Sequence, residues 1–587
     1  MREKLHEVDF CVVGGGMSGL CAAVAAARRG ARVALMQDRP VLGGNASSEI
    51  RMWICGAHGD NNRETGIVEE VQLENNYRNP SSNASIWDSV LYEAARFQPN
   101  LTLLLNCSCV AASMDGARIA SIRGWQGTAE TWHTVRAGLF ADCSGDSVLA
   151  PLTGAEFRRG REARAEFGED IAPEQADERT MGMSCLFQAR ETASPKPFIP
   201  PTWAKVFASD AELPNRGHGF TGLSNFWWLE LGGEGDAIHD TEDLRDELLA
   251  IAFGVWDHIK NRGEHGAANW ELEWVGFLPG KRESRRYVGD HILTQNDIRS
   301  EGRFDDLVAY GGWSMDDHHP GGLRYPGKPT IFHPAPSPYG IPYRCLYSRN
   351  IENLFVAGRN ISCTHAAMSS TRVMATCALC GQAAGTAASL ATRYHTTPRG
   401  VYENHLRELQ QALLDDDCFL PWQRRDIGEM ARQAELTASA GDAEPLRNGV
   451  DRPVGAAENA WSGRPGTDWV QYRFERPRRI GSVRIVFDSN LNRLGQGACA
   501  NHVEKNILSN YPLGQPPRTV PDTLTRAFTL EALDAAGRWS TVARIDDNHQ
   551  RLVRVPLQVE AVALRLTPLA TWGAPMARLF AFEPREA

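Results

Sequence analysis

The stretch Asp9-Phe-Cys-Val-Val-Gly-Gly-Gly-Met-Ser-Gly-Leu20 constrains this chain more than any other. Phe10 to Val13 is a short apolar run of strand character, and Cys21 to Ala27 is small-residue helix material. Between them Gly14, Gly16 and Gly19 stand at G-x-G-x-x-G spacing, with Met17 and Ser18 opening the helix. A strand, a glycine turn and a helix in that order form the unit that holds a dinucleotide. The first glycine permits the tight turn, the second lets backbone approach a pyrophosphate, and the third lets helix and strand pack closely. The phosphates then meet the positive end of the helix dipole. Ala31 to Met36 supplies a second strand, and Gln37 and Asp38 follow where an acidic residue usually holds the ribose hydroxyls. Arg39 stands without a second basic residue, so the pattern does not indicate a phosphorylated ribose.

Three later segments extend the unit. Leu42-Gly-Gly-Asn-Ala-Ser-Ser-Glu49 brings a second glycine pair soon after the second strand. Leu139-Phe-Ala-Asp-Cys-Ser-Gly-Asp146 is an apolar strand ending in a glycine turn. Asn353-Leu-Phe-Val-Ala-Gly-Arg-Asn360 precedes a small-residue helix from Thr371 to Ala388. Together the four pieces resemble the FAD-binding domain of the glutathione-reductase type. More narrowly, they resemble the bacterial FAD-dependent oxidoreductase family that carries VLGGNASSE and NLFVAGRNIS, over roughly residues 8–400.

The resemblance implies an FAD-binding α/β Rossmann-type domain with an inserted α+β substrate domain, and FAD as cofactor. It assigns Gly14, Gly16, Met17, Ser18 and Gly19 to the pyrophosphate, and Gln37, Asp38 and Arg39 to the adenosine ribose end. Gly43, Gly44 and Asn45 run along the flavin side, with Ser48 and Arg51 just beyond. Gly358 and Arg359 approach the pyrophosphate and ribityl chain, and Gly145, Asp146 and Val110 complete the lining. The helix from Arg372, with Met374 and Ala375, aims its N-terminus at the flavin's pyrimidine end. A helix N-terminus stabilises an anion by roughly 0.3–1 kcal/mol when exposed and up to ~2 kcal/mol when partly buried. The expected order is a first FAD-binding part at 1–170, a substrate domain at 171–345, a closing FAD-binding part at 346–400, a helical linker at 401–434, and a β-sandwich at 435–587. Residues 101–142 read as a strand meander with turns at Asp115-Gly116 and Gly124.

Seven of the sixteen tryptophans (203, 227, 228, 256, 270, 274 and 313) fall in the middle segment, so packing accounts for most, and one or two are expected to present flat faces to a sugar-like ring. Lys281, Arg282, Arg285 and Arg286 crowd one short stretch. They read either as a solvated turn paired with Glu283 or as the source of one arginine, Arg285, that anchors a polar substrate group. Tyr310-Gly-Gly-Trp-Ser-Met-Asp-Asp-His-His-Pro-Gly-Gly322 is the main catalytic candidate, because Asp317, His318 and His319 sit between glycines in a predicted loop. Histidine titrates near working pH and suits the removal of a hydroxyl proton, and His365 is a further candidate base. Tyr339, Tyr343 and Arg344 are expected to line the pocket, and no metal is expected.

From about residue 435 short alternating runs separated by turn residues argue for a β-sandwich. Asn459-Ala-Trp461-Ser and the run from Trp469 to Phe487 resemble a discoidin-like jelly roll, a module that binds carbohydrate in some proteins and only packs against its own enzyme in others. The polar insertion at 490–521 could cover the substrate cleft.

The formal net charge of −10 and the lack of Lys/Arg-rich runs argue against nucleic acid or an anionic membrane as partner. No run of about 18 apolar residues is present. The thirteen scattered cysteines, Cys377-x-x-Cys380 among them, read as free thiols of a cytoplasmic protein. The functional expectation is an FAD-dependent oxidoreductase that takes hydride from a hydroxyl-bearing carbon of a polar, carbohydrate-like small molecule, a sugar or glycoside. The alternatives are a carbon–carbon dehydrogenase or reductase of a carboxylate, redox-neutral flavin-dependent glycoside cleavage, and a carbohydrate-binding protein with a structural flavin. With no second glycine unit for NAD, the electron acceptor is open, as is assembly into a homo-oligomer.

Overall fold

A computed structural model describes residues 1–219, 225–492 and 506–586. The chain folds into two compact units, one of Met1–His58, Ser81–Leu409 and Gly495–Pro517, the other of Gly59–Pro80, Gln410–Leu494 and Arg518–Ala587.

The first unit is built on a seven-stranded sheet. The strands Leu101–Leu104, Val33–Met36, Arg2–Val13, Thr131–Asp142 and Leu354–Val356 run parallel, in the registers Leu35 to Leu103, Cys11 to Ala34, Cys11 to Phe140 and Phe355 to Ala141. Their central residues are apolar on both faces, as a sheet covered on both sides requires. The meander forms as Cys107–Asp115, Arg118–Gln126 and the start of Thr131–Asp142, all antiparallel. One turn differs from expectation. Gly124 lies within a strand opposite His133, and the chain reverses instead at Gly127–Ala129, with Glu130 at φ +46°. A side chain at Gly124 would meet the Met36 and Cys107 sulfurs at 2.7 and 2.8 Å, so this glycine serves packing.

The helices Met17–Arg28 and Met374–Arg393 cross in close contact beside this sheet. Gly381 and Gly385 make that possible, because a Cβ at either would lie 2.0 or 2.1 Å from the carbonyl oxygens of Ser18 and Ala22. The helix His365–Thr371 precedes the second of these at a bend of 94°, and among the described residues no single helix is long and apolar enough to cross a membrane.

Between residues 157 and 345 the chain forms several short sheets rather than one broad one. Met183–Ser184 pairs with Glu230–Leu231 and with Gly280–Lys281; Phe187–Glu191 pairs with Trp270–Val275; Met315–His318 pairs with Thr330–His333. The helix Thr241–Asp257 packs a core of Met183, Phe187, Phe226, Trp228, Leu248 and Trp256. The run at 316–319 is therefore largely an edge strand where a loop was expected. Part of the polar insertion also belongs to this unit. Asn506 Oδ1 accepts from Ile54 N at 2.9 Å, Asn510 Oδ1 accepts from Ala189 N at 2.9 Å, and Tyr511 N donates to Ala189 O at 2.9 Å. Residues 493–505 of that insertion lie outside the described residues.

The second unit is antiparallel β. Its seven strands include Val470–Phe487, Leu552–Thr571, Thr525–Leu533 and Ala577–Glu586, ordered so that Val470–Phe487 lies between Ala577–Glu586 and Leu552–Thr571. Trp461, Tyr472, Phe487, Phe528, Leu564 and Phe582 are among its core residues. The strand Glu435–Ala438 joins the edge of Val470–Phe487, and the helix Pro398–Asp415 is broken by a non-helical His405.

The helix Ile67–Arg78 also belongs to the second unit, held by a buried ionic layer. Glu69 pairs with Arg63 and accepts from Ser489 Oγ at 2.6 Å. Arg551 reaches Glu69 at 3.6 Å and Asp417 at 2.7 Å. Removing one partner of such a layer strands the others in low dielectric. Arg551→Ala is expected to cost about 3–5 kcal/mol, seen as a lower unfolding midpoint for this unit while the flavin spectrum is unchanged.

Candidate functional site

A cleft of about 430 Å³ opens along the C-terminal ends of the parallel strands in the first unit, where ligands of open α/β sheets bind. Gly14, Gly16, Met17, Ser18, Gln37, Asp38, Arg39 and Cys107–Cys109 line one region of it. Gly43–Asn45, Gly145, Asp146, Gly358 and Arg359 line the middle, and Met52–Cys55, Trp227, Arg282, Trp313, Asp316, His318, Phe332 and Arg372–Met374 line the rest.

The glycine turn has the backbone that its sequence demands. Gly14 takes φ +99°, and its Cβ would collide with Cys143 and Ser144 backbone at 2.5 Å. Gly19 touches the Gly14 carbonyl so closely that a Cβ would lie 1.8 Å from it. Gly16 faces space, since its Cβ would meet nothing nearer than Gly44 Cα at 3.9 Å. The first intrahelical bond is Leu20 N to Gly16 O at 2.9 Å, which leaves the N–H groups of Met17, Ser18 and Gly19 as first-turn donors.

Gln37, expected at the ribose end, lines the cleft with its side-chain amide bonded to backbone. Its Oε1 accepts from Gly15 N at 2.6 Å and its Nε2 donates to Val41 O at 3.2 Å, so the side chain braces the glycine turn. Asp38 is the exposed acid beside it, and Arg39 pairs with Glu49 at 3.4 Å.

In the middle region Asp146 is clamped by Arg359 at 2.8 Å, Lys281 at 2.9 Å and the Ser284 hydroxyl at 2.8 Å. Burial alone would raise the Asp146 pKa, but the two cations hold it below the usual carboxylate range. The Nε atoms of Arg359 and Arg372 are buried and have no hydrogen-bond partner among the described residues. A pyrophosphate or an anionic ring edge would satisfy such donors. Open space at Gly16, the first-turn N–H donors and these two guanidinium edges together fit an FAD-sized dinucleotide.

Beyond the middle, the strand Met315–His318 brings a histidine to the cleft. His318 Nδ1 lies 2.6 Å from Glu230 Oε2, and its Nε2 lies 3.4 Å from Asp316 Oδ2. Asp316 accepts from Thr330 Oγ1 at 2.5 Å and pairs with Arg372 at 3.2 Å. Arg282 donates to Ser184 Oγ and Trp227 O and lies 3.5 Å from Glu230. Burial pushes the Glu230 and Asp316 pKa values up, but Arg282 and His318 for Glu230, and His318 and Arg372 for Asp316, outweigh it, so both carboxylates stay ionised. Trp227 meets His318 edge to face at 5.2 Å, and Trp313 stacks on His58 at 4.4 Å.

Several candidates stand elsewhere. Arg285 is not among the cleft lining and lies over Phe157 at 5.4 Å, so Arg282 is the arginine of that stretch that reaches the cleft. Arg286 is fully buried against Glu162 and Glu283 at 2.8 and 2.7 Å. His319 stacks on Tyr325. Arg51 donates to Gln188 and covers Trp274, and Ser48 N donates to Asp88. Val110 is exposed, while its neighbours Cys107–Cys109 line the cleft. Ala375 N donates to Cys55 O at 3.0 Å. Tyr339 bonds Ser370, Tyr343 bonds Pro398 O and Arg344 pairs with Asp306, all away from the lining. Of the seven tryptophans, only Trp227 and Trp313 line the cleft, and Trp53 joins them. Glu230 escaped sequence reading because nothing local marks it. The described cysteines are free thiols.

His365 and Asp317 form a separate buried cluster. His365 Nδ1 lies 2.8 Å from Glu283 Oε2 and its Nε2 3.2 Å from Asp317 Oδ1, so carboxylates occupy both nitrogens. Burial alone would lower its pKa, but Glu283 and Asp317 lift it to about 10. An imidazolium held this way braces the helix that begins at His365. Because its folded pKa exceeds the unfolded value near 6.5, its stabilisation is full below pH ~6.5 and is lost as pH rises through about 10. Wild type is therefore expected to lose a few kcal/mol between these limits, and His365→Gln to flatten that part of the profile, read from unfolding midpoints at stepped pH.

A family model described as FAD dependent oxidoreductase matches residues 9–413. A search of curated proteins finds no match. Among solved structures, a family 32 carbohydrate-binding module from Streptococcus pneumoniae EndoD is similar at 16% identity and TM-score 0.20, over 27% of this chain and 99% of that one. A chitosan-binding module of a chitosanase/glucanase from Paenibacillus sp. IK-5 is similar at 12% identity and TM-score 0.18, over 27% of this chain and 98% of that one.

Proposed function

The chain belongs to the FAD-dependent oxidoreductase family, and on that premise we propose that its cleft takes hydride from a hydroxyl-bearing carbon of a polar, carbohydrate-like substrate. The observation that carries this reading is the pair His318 and Asp316 at the cleft wall, with His318 held by the buried Glu230. When bound, the flavin supplies the two-electron acceptor. Glycine-turn donors of Met17 and Ser18, with Arg359, would hold its pyrophosphate, and the first turn at Met374 with Arg372 would face its electron-rich edge.

The protein's own part is the proton. Glu230 Oε2 accepts the Nδ1–H of His318, which fixes the tautomer and leaves Nε2 as the basic atom. Nε2 makes only the looser 3.4 Å contact, to Asp316, and it is the nitrogen that takes a hydroxyl proton in this reading. Glu230 and Asp316, both ionised, then stabilise the imidazolium that forms. Trp227, Trp313 and Phe332 offer flat walls to a ring and limit water. A carboxylate substrate is disfavoured because Arg282 is already engaged by Ser184, Trp227 O and Glu230, and the open Nε edge of Arg372 is assigned to the flavin in this reading. The short sheets between 157 and 345 are the substrate-facing part in this reading.

An anaerobic titration of the flavoprotein with sugars, glycosides and organic acids tests it. Loss of the flavin's visible absorbance with a polyol or sugar is expected. Bleaching by none of them would sink the reading. Cleavage of a glycoside without any added acceptor would move the assignment to the redox-neutral alternative.

A further inference from the structure

Away from the cleft lining, four side chains from three chain segments point their ligand atoms at one spot. They are Asp210, His218, His258 and His265, whose donor atoms all lie within 4.8 Å of one another. Asp210 Oδ1 lies 2.8 Å from His258 Nε2, 3.1 Å from His265 Nε2 and 3.9 Å from His218 Nδ1. The two histidine Nε2 atoms are 3.1 Å apart. Ligands around one tetrahedral zinc stand about 3.3 Å apart, given zinc–nitrogen bonds near 2.0–2.1 Å.

A second observation makes this more than a cluster. His258 Nδ1 lies 3.0 Å from the Phe207 carbonyl oxygen, which can only accept, so Nδ1 carries the proton. Nε2 is thereby turned toward Asp210 Oδ1 at 2.8 Å and into the space that the other two histidines face. The outer hydrogen bond from a ligand imidazole to a backbone carbonyl is also how metal-bound histidines are oriented.

The scaffold is built for the arrangement. Asp210 opens a single helical turn, Asp210–Glu212, and His258 opens the wide turn His258–Arg262 that ends the long helix. Such π-type turns recur at functional sites. Gly263 leaves the room that the His265 ring fills, since a Cβ there would lie 2.2 Å from His265 Nε2. The Lys260 ammonium donates to the carbonyls of Ala267, Ala268 and Trp270 at 2.7 Å each, which pins the loop carrying His265.

We propose that these residues bind one divalent transition ion of the zinc class as a closed structural clamp. Three imidazoles and one carboxylate suit zinc, and four protein ligands leave no position for a substrate. The ion joins the segment around Asp210 and His218 to the end of the long helix and to the loop at His265. Phe226 and Trp228, which flank the cleft residue Trp227, share a core with Phe207, Trp256 and Ile259 beside this clamp. The clamp therefore steadies one wall of the cleft without touching its chemistry.

The test uses the full-length flavoprotein without a histidine tag, stripped with chelator and then given zinc or cobalt(II). Retention of about one zinc per chain after gel filtration is expected. Cobalt(II) should give the strong visible bands of a four-coordinate site, to the red of the flavin absorption, and zinc should raise the unfolding midpoint. Asp210→Asn alters an exposed carboxylate and leaves the core intact. It and His258→Gln should each weaken zinc binding by at least the ~10–100-fold that loss of an outer partner costs, with the flavin retained in Asp210→Asn. No stoichiometric uptake by the wild-type protein, or equal uptake by the Asp210→Asn variant, overturns the proposal.

Discussion

Replacing Gly19 with alanine is expected to yield a protein that no longer retains flavin. The added methyl would sit 1.8 Å from the Gly14 oxygen and 2.9 Å from its carbonyl carbon. Neither can retreat easily. Gly14 N is bonded to Met36 O at 2.8 Å, and Cys143 N, behind the turn, to Val13 O at 2.7 Å. Forcing an extra methyl into such a contact costs about 1–3 kcal/mol or more, and each 1.4 kcal/mol is tenfold in affinity. A loss of ~10–100-fold in FAD affinity, with a lower unfolding midpoint, follows. Gly16→Ala separates ligand contact from protein strain. Its methyl meets no protein atom nearer than 3.9 Å, so the apo-protein should unfold like wild type while FAD binding still weakens. A yellow Gly19→Ala protein with an unchanged midpoint would contradict the assigned geometry.

His318→Asn is expected to slow reduction of the bound flavin by about 10²–10⁴-fold, the usual contribution of a positioned acid or base. The flavin itself should remain bound, since the bonds of His318 go to Glu230 and Asp316 and not to the glycine turn or Arg359. Glu230→Gln should reproduce much of the loss, because the amide can present an N–H to Nδ1 and leave the ring in the wrong tautomer. Stopped-flow reduction by whichever substrate bleaches the wild type gives the measurement. His365→Gln serves as the contrast. Its ring is already held between Glu283 and Asp317, so it should change the alkaline stability far more than the reduction rate. Wild-type reduction rates in His318→Asn would remove His318 from the mechanism.

The cofactor half of the cleft was legible in the chain because glycine spacing encodes backbone shape. Gly14, Gly16, Gly43, Gly145 and Gly358 all reach the cleft as the segments implied. Side-chain destinations were less legible. Gln37 reads as a residue of the ribose end, and nothing local shows that its oxygen accepts from the Gly15 N–H. Arg285 and Arg282 are indistinguishable by composition, and only the strand Gly280–Lys281, pairing with Met183–Ser184, decides which one enters the cleft. Glu230 and Asp210 acquire meaning only through partners far away in sequence, His318 and His258. No local pattern carries that information.

The two compact units are interleaved along the chain, and this governs how such a protein can be inherited and dissected. A domain appended at the end of a gene can be gained by fusion or lost by an early stop codon. Here residues 59–80 belong to the second unit and residues 495–517 to the first. A stop codon at residue 434 would strand the helix Ile67–Arg78 and its Glu69 without Ser489 and Arg551, and would delete the Asn506 and Asn510 side chains that bond Ile54 and Ala189. The oxidoreductase core and the β-rich tail are thus committed to co-inheritance, and recombination between relatives must preserve both crossings at once.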